Sequence, residues 1–175
     1  MKIINICLGF VSIIFVTNSF SQEISEHNVT FSINQIIPKS VSAFYLGRNF
    51  DMDQIKPYAK TCVYSVTLRN DDSKNGIHYL RKNWVAKQDT KLYYIKTNKQ
   101  WHDVFKRSNI SASSWIAFRL AQMPEEQIYE ANGDWNQGML SVDLPLGSDF
   151  DLTIIWDIKG KPYEITIHDV KCVKE

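Results

Sequence analysis

Phe150-Asp151-Leu152-Thr153-Ile154-Ile155-Trp156-Asp157-Ile158 alternates along its length: Phe150, Leu152, Ile154, Trp156 and Ile158 share one face, and Asp151, Thr153, Ile155 and Asp157 share the other. A period of two with one apolar face is the pattern of a half-buried β-strand. Lys159-Gly160-Lys161-Pro162 turns the chain, and Tyr163, Ile165 and Ile167 resume the alternation. Because Pro162 has no N–H, the spacing predicts a four-residue loop centred on Gly160-Lys161, with Trp156 opposite Ile165 and Ile154 opposite Ile167. The apolar positions then change from odd to even at Val170 and Cys172, which predicts a β-bulge near His168-Asp169.

The same alternation recurs upstream. Val29, Phe31 and Ile33 form a first strand that Pro38 ends, after a polar, frayed lead-in from Gln22 to Asn28. Cys62, Tyr64, Val66 and Leu68 form another, followed by the turn-rich run Asn70 to Gly76. Strands are predicted over Ile77 to Val85, Leu92 to Ile95, Gln127 to Glu130 and Met139 to Val142. Trp115 to Leu120 is apolar on both sides, which predicts a strand central in its sheet. Helical spacing is confined to Ser40 to Tyr58 and to a segment opening at Thr97 or Asn98, with Trp101, Val104 and Phe105 on one face. In the first of these Ser40 is a possible cap and Gly47-Arg48-Asn49 an interruption. Asp51 or Asp53 caps the second piece, which Pro57 shortens. The chain is therefore expected to be mainly β, with α+β admitted. It forms a single antiparallel β-sandwich or curved sheet of about eight short strands with two or three short helices.

Met1-Lys2, the apolar run Ile3 to Val16 and the small residues Ser19 and Ser21 have the layout of a secretory signal, with cleavage after Ser21 and a single globular domain over residues 22–175. The run is short for a membrane span, so the mature chain is expected to be exported, periplasmic or secreted, without stable membrane insertion. Its Ile-, Asn- and Lys-rich style points to a bacterial source. Removing Lys2 leaves 19 Lys+Arg against 19 Asp+Glu. That formal neutrality argues against nucleic acid or an anionic membrane as the main partner. Cys7 leaves with the signal, and Cys62 and Cys172 remain as an even pair, expected to be disulfide-bonded in an oxidising compartment. Closing so long a loop stabilises by roughly 4–5 kcal/mol in the chain-entropy model.

Chemical motifs are few. Asp71-x-Ser73-x-Asn75-Gly76 has the opening spacing of a calcium loop, but Lys82 stands where the closing acid belongs, so a plain hairpin turn is expected. The four histidines, His27, His78, His102 and His168, are scattered. With Met123 and Met139 they make a copper site conceivable by ligand type and not by spacing, and no metal or cofactor is expected. Glu125-Glu126 reads as a solvated pair, and no nucleophile, zinc or phosphate-loop motif occurs. Residues 132–139 hold two glycines with Asp134, Trp135 and Asn136, the make-up of a ligand-gripping loop. The favoured alternative folds Trp135 over the core edge and leaves Asp134 and Asn136 as a rim. The remaining candidate binding residues are Arg48, in Gly47-Arg48-Asn49-Phe50, which either binds an anionic group or pairs with Asp51 or Asp53, and Arg119, whose charge inside an apolar run needs a partner or a cleft. The reading that results is a non-enzymatic binding or accessory protein of the bacterial envelope, inhibitor and immunity-type roles included, with another envelope protein as partner. A small-ligand or copper carrier built on the 132–139 loop is the alternative, and a hydrolase comes third.

Overall fold

The computed structural model describes residues 20–72 and 74–174. The leader expected over residues 1–21 lies almost entirely outside them. In chain order the first half runs β1 (Ser21–Glu26), β2 (Val29–Gln35), α1 (Pro38–Leu46), α2 (Met52–Ala59), β3 (Thr61–Asn70), β4 (Ile77–Leu80), a 3-10 turn (Arg81–Asn83) and β5 (Val85–Gln88). The second half runs β6 (Lys91–Tyr94), α3 (Asn98–Lys106), α4 (Ala112–Ala121), β7 (Glu126–Tyr129), β8 (Asp134–Pro145), β9 (Asp149–Ile158) and β10 (Lys161–Lys171). The expected mainly β sandwich with a few short helices is what forms.

One sheet has the order β1-β2-β3-β8; the other has β6-β5-β9-β4-β7, with β10 on the far side of β9. All strand pairs within the two sheets are antiparallel. The main core lies between the sheets. Phe31, Tyr64, Val66 and Leu140 meet Trp84, Leu152, Ile154, Trp156 and Ile167 there, all buried. A second cluster joins Val63 and Met139, on the other face of the four-stranded sheet, to Tyr45, Ile55, Tyr58, Trp101, Phe105 and Phe118 of the helices. The result is three layers: helices, sheet, sheet.

Several expectations change in detail. The lead-in is not frayed: β1 pairs with β2 from Ser21↔Asn34 to Glu26↔Val29. His27 (φ 52°) and Asn28 (φ 59°) supply the two left-handed residues of a tight hairpin turn. The β9–β10 hairpin is likewise tight, turning at Lys159 (φ 54°) and Gly160 (φ 79°), so its register is two residues from the expected one. Trp156 faces Tyr163, and Ile154 faces Ile165. The missing N–H of Pro162 costs nothing, because Ile158 and Lys161 close the turn and Pro162 sits on an edge strand with its nitrogen directed off the sheet. The bulge forms as expected: pairing shifts between Ile167 and Val170, Asp169 takes φ 53°, and Val170 and Cys172 return to the core.

The 70–76 turn does not close a hairpin. It carries the chain from β3 in one sheet to β4 in the other. The expected strand from Ile77 to Val85 is split by the 3-10 turn, which lets β4 and β5 occupy successive stretches of one edge of β9. Pro38 opens α1 instead of merely ending a strand, since a proline fits the first helical position. Asp51 and Gln54 form a capping box on α2, and Thr97 and Gln100 form one on α3. The largest correction is Trp115 to Leu120, which is helix α4 and not a central strand. Ser111 accepts the Ser114 N–H at its start, and Ser114 and Phe118 point inward at i and i+4. A short run apolar on both sides satisfies either period; the Ser111 cap and the helix-forming Ala, Leu and Arg permit the helix, and the packing of Phe118 among the other helices selects it.

Candidate functional site

Asp134, Trp135 and Asn136 are the first residues of β8, not the middle of a loop; the turn itself is Asn132 (φ 68°) and Gly133 (φ 89°). Asp134 accepts the N–H groups of Glu130 (2.9 Å) and Trp135 (2.9 Å), closing that turn as a structural aspartate does. Trp135 lies opposite Arg69 on β3 and is 56 % exposed, so the expectation that it covers the core edge is overturned. Its strand position sends it to the face that helices and sheet leave open at that end. Arg48 follows α1 and lies 3.4 Å above the Phe44 ring, donating to the Phe44 carbonyl at 2.8 Å. Arg119 is exposed on α4, so the demand for a partner that a central strand would have imposed on it disappears. No hydrogen bond or ion pair among the described residues joins these five candidates across their three elements.

The histidines stay apart, on the β1–β2 turn, β4, α3 and the β10 bulge. Met123 and Met139 are buried, and Met139 accepts the Tyr45 hydroxyl at 3.4 Å. Among the described residues no group of three or more His, Cys, Asp or Glu is placed to hold a metal ion. Asp71 is taken by Arg69 (2.6 Å) and Thr30 (2.6 Å), so it is not aimed at an ion. The N–H groups of Lys74 and Asn75 occupy Asp72 and hold its carboxyl below the usual range.

What the fold does bring together lies on the six-stranded sheet. His78 on β4 stands between two carboxylates from neighbouring strands. Its Nε2 is 2.8 Å from Glu126 Oε1 on β7, and its Nδ1 is 3.0 Å from Asp157 Oδ2 on β9. The hydrogen bond to Glu126, with Asp157 behind it, raises the imidazole pKa above its ordinary value. Beside it, Arg81 is 3 % exposed and donates to the Met123 and Lys96 carbonyls while facing Glu125 at 3.4 Å. Burial pulls its pKa down, and Glu125 opposes that pull. Glu125 also accepts the N–H of Asn98 at the start of α3 (2.6 Å), so this ion pair lashes helix to sheet. Glu125 and Glu126 thus serve different partners, and both remain exposed to solvent as expected. Arg81 had a signal in the sequence, since it continues the odd-numbered inward series Ile77, Tyr79.

The outward face of this sheet bears apolar side chains that no described element covers. The register sets Tyr94 beside Val85, and Ile128 beside His78. Leu92, Tyr94 and Ile128 are exposed at 54 %, 64 % and 62 %. A cleft of about 130 Å³ opens where β4 and β9 separate beyond His78, lined by Leu80, Asn83, Ile155 and Pro162. A second, of about 190 Å³, lies over Arg81, Ile95, Thr97 and Glu125. Neither holds Arg48, Arg119 or the Asp134–Asn136 residues.

The structure thus defines a class by architecture: a β-sandwich with a helical layer on one sheet and a disulfide joining the two sheets at Cys62 and Cys172 (S–S 2.06 Å). Comparison with protein-family models, curated proteins and solved structures finds no match.

Proposed function

We propose that the chain is a non-enzymatic binding protein of the bacterial envelope that engages another protein through the outward face of its six-stranded sheet, in an inhibitor, immunity or accessory role. The observation that carries this is the set of exposed apolar side chains Leu92, Tyr94 and Ile128 on an uncovered sheet face, with Val85 and Ile155 half-buried on the same face and the His78 cluster beside Ile128. Large exposed apolar patches mark contact sites in soluble chains. Export fits the same reading: the apolar run Ile3 to Val16 at the N-terminus supplies the leader, and the Cys62–Cys172 bond suits an oxidising compartment. A carrier reading needs polar groups converging in a pocket, and Asp134, Trp135, Asn136, Arg48 and Arg119 do not converge.

The test is affinity purification of the processed protein from its native envelope, beside the double variant Tyr94→Ser/Ile128→Ser. A stoichiometric protein partner held by the native chain and lost from the variant is the expected result. A partner held equally by both, or none at stoichiometric level, refutes the assignment of this face. Because both side chains are exposed, the variant melts with the native protein, within about 0.5 kcal/mol.

A further inference from the structure

Formal neutrality conceals a separation of charge. The helical segments, residues 36–60 and 97–122, carry eight Lys/Arg against three Asp, and the sheets with their loops carry the compensating acid. All eight cations are exposed, while Val41, Tyr45, Ile55, Trp101, Phe105 and Phe118 point inward toward the four-stranded sheet. Asp103, one of the three acids, is occupied by Lys99 at 3.1 Å. Set among the cations are Leu120, 76 % exposed and one turn after Ile116 (49 %), and Met52 (56 %) and Leu46 (43 %) on the other helix pair. Between α1 and α2 lies a cleft of about 250 Å³ whose lining sets Pro38, Met52, Ala59 and Leu146 beside Lys56 and Lys60, with Asp53 also on it.

We infer that the helical layer is a docking surface for an anionic lipid bilayer. Two features select lipid over other anions. The first is the exposed apolar residues, which a nucleic acid or other polyanion would leave in water and a bilayer interface takes up. The second is the cleft, which offers apolar side chains and two lysines together, as a lipid offers acyl chain and phosphate. No described helix is long and apolar enough to cross a membrane, so the contact is peripheral. The attraction depends on local charge within a Debye length, not on the chain's net charge, which is why neutrality does not oppose it. With the helices against lipid, the six-stranded sheet faces the opposite way; the inference does not depend on that sheet binding anything.

The experiment is co-sedimentation of the full chain, in its processed form, with phosphatidylglycerol vesicles and with phosphatidylcholine vesicles. The expected result is binding to the first and not the second, lost at high salt. Lys56→Gln/Lys60→Gln should lower the affinity for phosphatidylglycerol by about tenfold or more. Met52→Ser/Leu120→Ser should also lower it, and both variants should melt with the native protein because the four side chains are exposed. Equal binding to both vesicle types, or none to phosphatidylglycerol at low salt, overturns the inference. So does a Met52→Ser/Leu120→Ser variant that binds as the native chain does, since that result describes a polyanion site without lipid contact.

Discussion

Three side chains show how placement sets what a residue is worth. Trp156 is 2 % exposed, stacked with Tyr163 at 6.3 Å, and its indole N–H has no partner among the described residues. Trp156→Ala should cost about 3–5 kcal/mol in denaturant melts. Trp156→Phe should cost less, because it also removes the unpartnered donor. Trp135, by contrast, is 56 % exposed, and Trp135→Ala should leave the midpoint within about 0.5 kcal/mol. A large loss there would mean that β8 begins in a different register. His78 is the pH-dependent member of the trio. Its raised pKa means the folded state favours the imidazolium between Glu126 and Asp157. That contribution is fully present below the ordinary imidazole value of about 6.5 and is lost as pH rises through the higher folded value. The gap in thermal midpoint between the native protein and His78→Asn should therefore narrow from about pH 6 to pH 9. A gap that stays constant over that range would be incompatible with a protonated clasp.

Elements record a competition between local pattern and global packing. In α4, Phe118 touches Tyr45, Tyr58 and Phe105 within 4.7–5.4 Å between ring centres, while its neighbours Arg119 and Leu120 are exposed. Strand periodicity would bury 118 and 120 together; helical periodicity separates them. Phe118→Ala should thus cost about 3–5 kcal/mol and Leu120→Ser almost nothing. The buried Tyr45–Gln122–Tyr58 hydrogen bonds, at 2.9 and 3.1 Å, hold the C-terminal end of this helix to α1 and α2. In β8, Gly138 lies under the Gln122–Met123 segment, and an added Cβ would fall 2.3 Å from the Met123 nitrogen. Gly138→Ala should destabilise by about 1–3 kcal/mol or more, since backbone must move. Gly133 has open space around it, and Ala there carries only the penalty of its positive φ. Paired melts of the two alanine variants separate close approach from backbone strain.

At the scale of the molecule, the C-terminal segment fastens one sheet to the other. Cys172 is bonded to Cys62 across 110 residues of sequence; Gln35 exchanges two hydrogen bonds of 2.8 Å with the Val173 backbone; and the Tyr64 hydroxyl donates to the Lys171 carbonyl at 2.9 Å. Reduction should add two protons to the intact mass, and Cys172→Ala should cost about 2–5 kcal/mol. The hydrogen bonds make this lock partly redundant, so the reduced chain should retain its strand content while melting earlier. Collapse of the far-ultraviolet signal on reduction at room temperature would contradict that division. At the same end of the sheet the Phe20 carbonyl accepts the Gln35 N–H at 2.9 Å, and β1 begins at Ser21. Processing after Ser21 would trim the first residue of β1 and leave the remainder paired.

Local chemistry alone determined much of this protein. Alternation at Phe150 to Ile158 and Cys62 to Leu68 placed two inner faces; the odd-to-even change at Val170 placed the bulge; Asp51 or Asp53, and Thr97 or Asn98, bracketed two helix starts, of which Asp51 and Thr97 form the caps; two cysteines on apolar faces placed the disulfide. Each of these depends on residues within a few positions of one another, or on the two cysteines that lie on strand-like apolar faces. Tertiary structure decided the rest. Whether Trp115 to Leu120 is strand or helix turned on a second core that only the packed helices create. Whether the 70–76 loop closes a hairpin or crosses between sheets turned on which edge of β9 was free. The inward position of Arg81 was legible in the odd-numbered series, but its partners Glu125 and Met123, and the Asp157 and Glu126 partners of His78, come from segments far apart in sequence. Side-chain period is local physics; which surfaces remain uncovered is settled only once every other surface has found its partner.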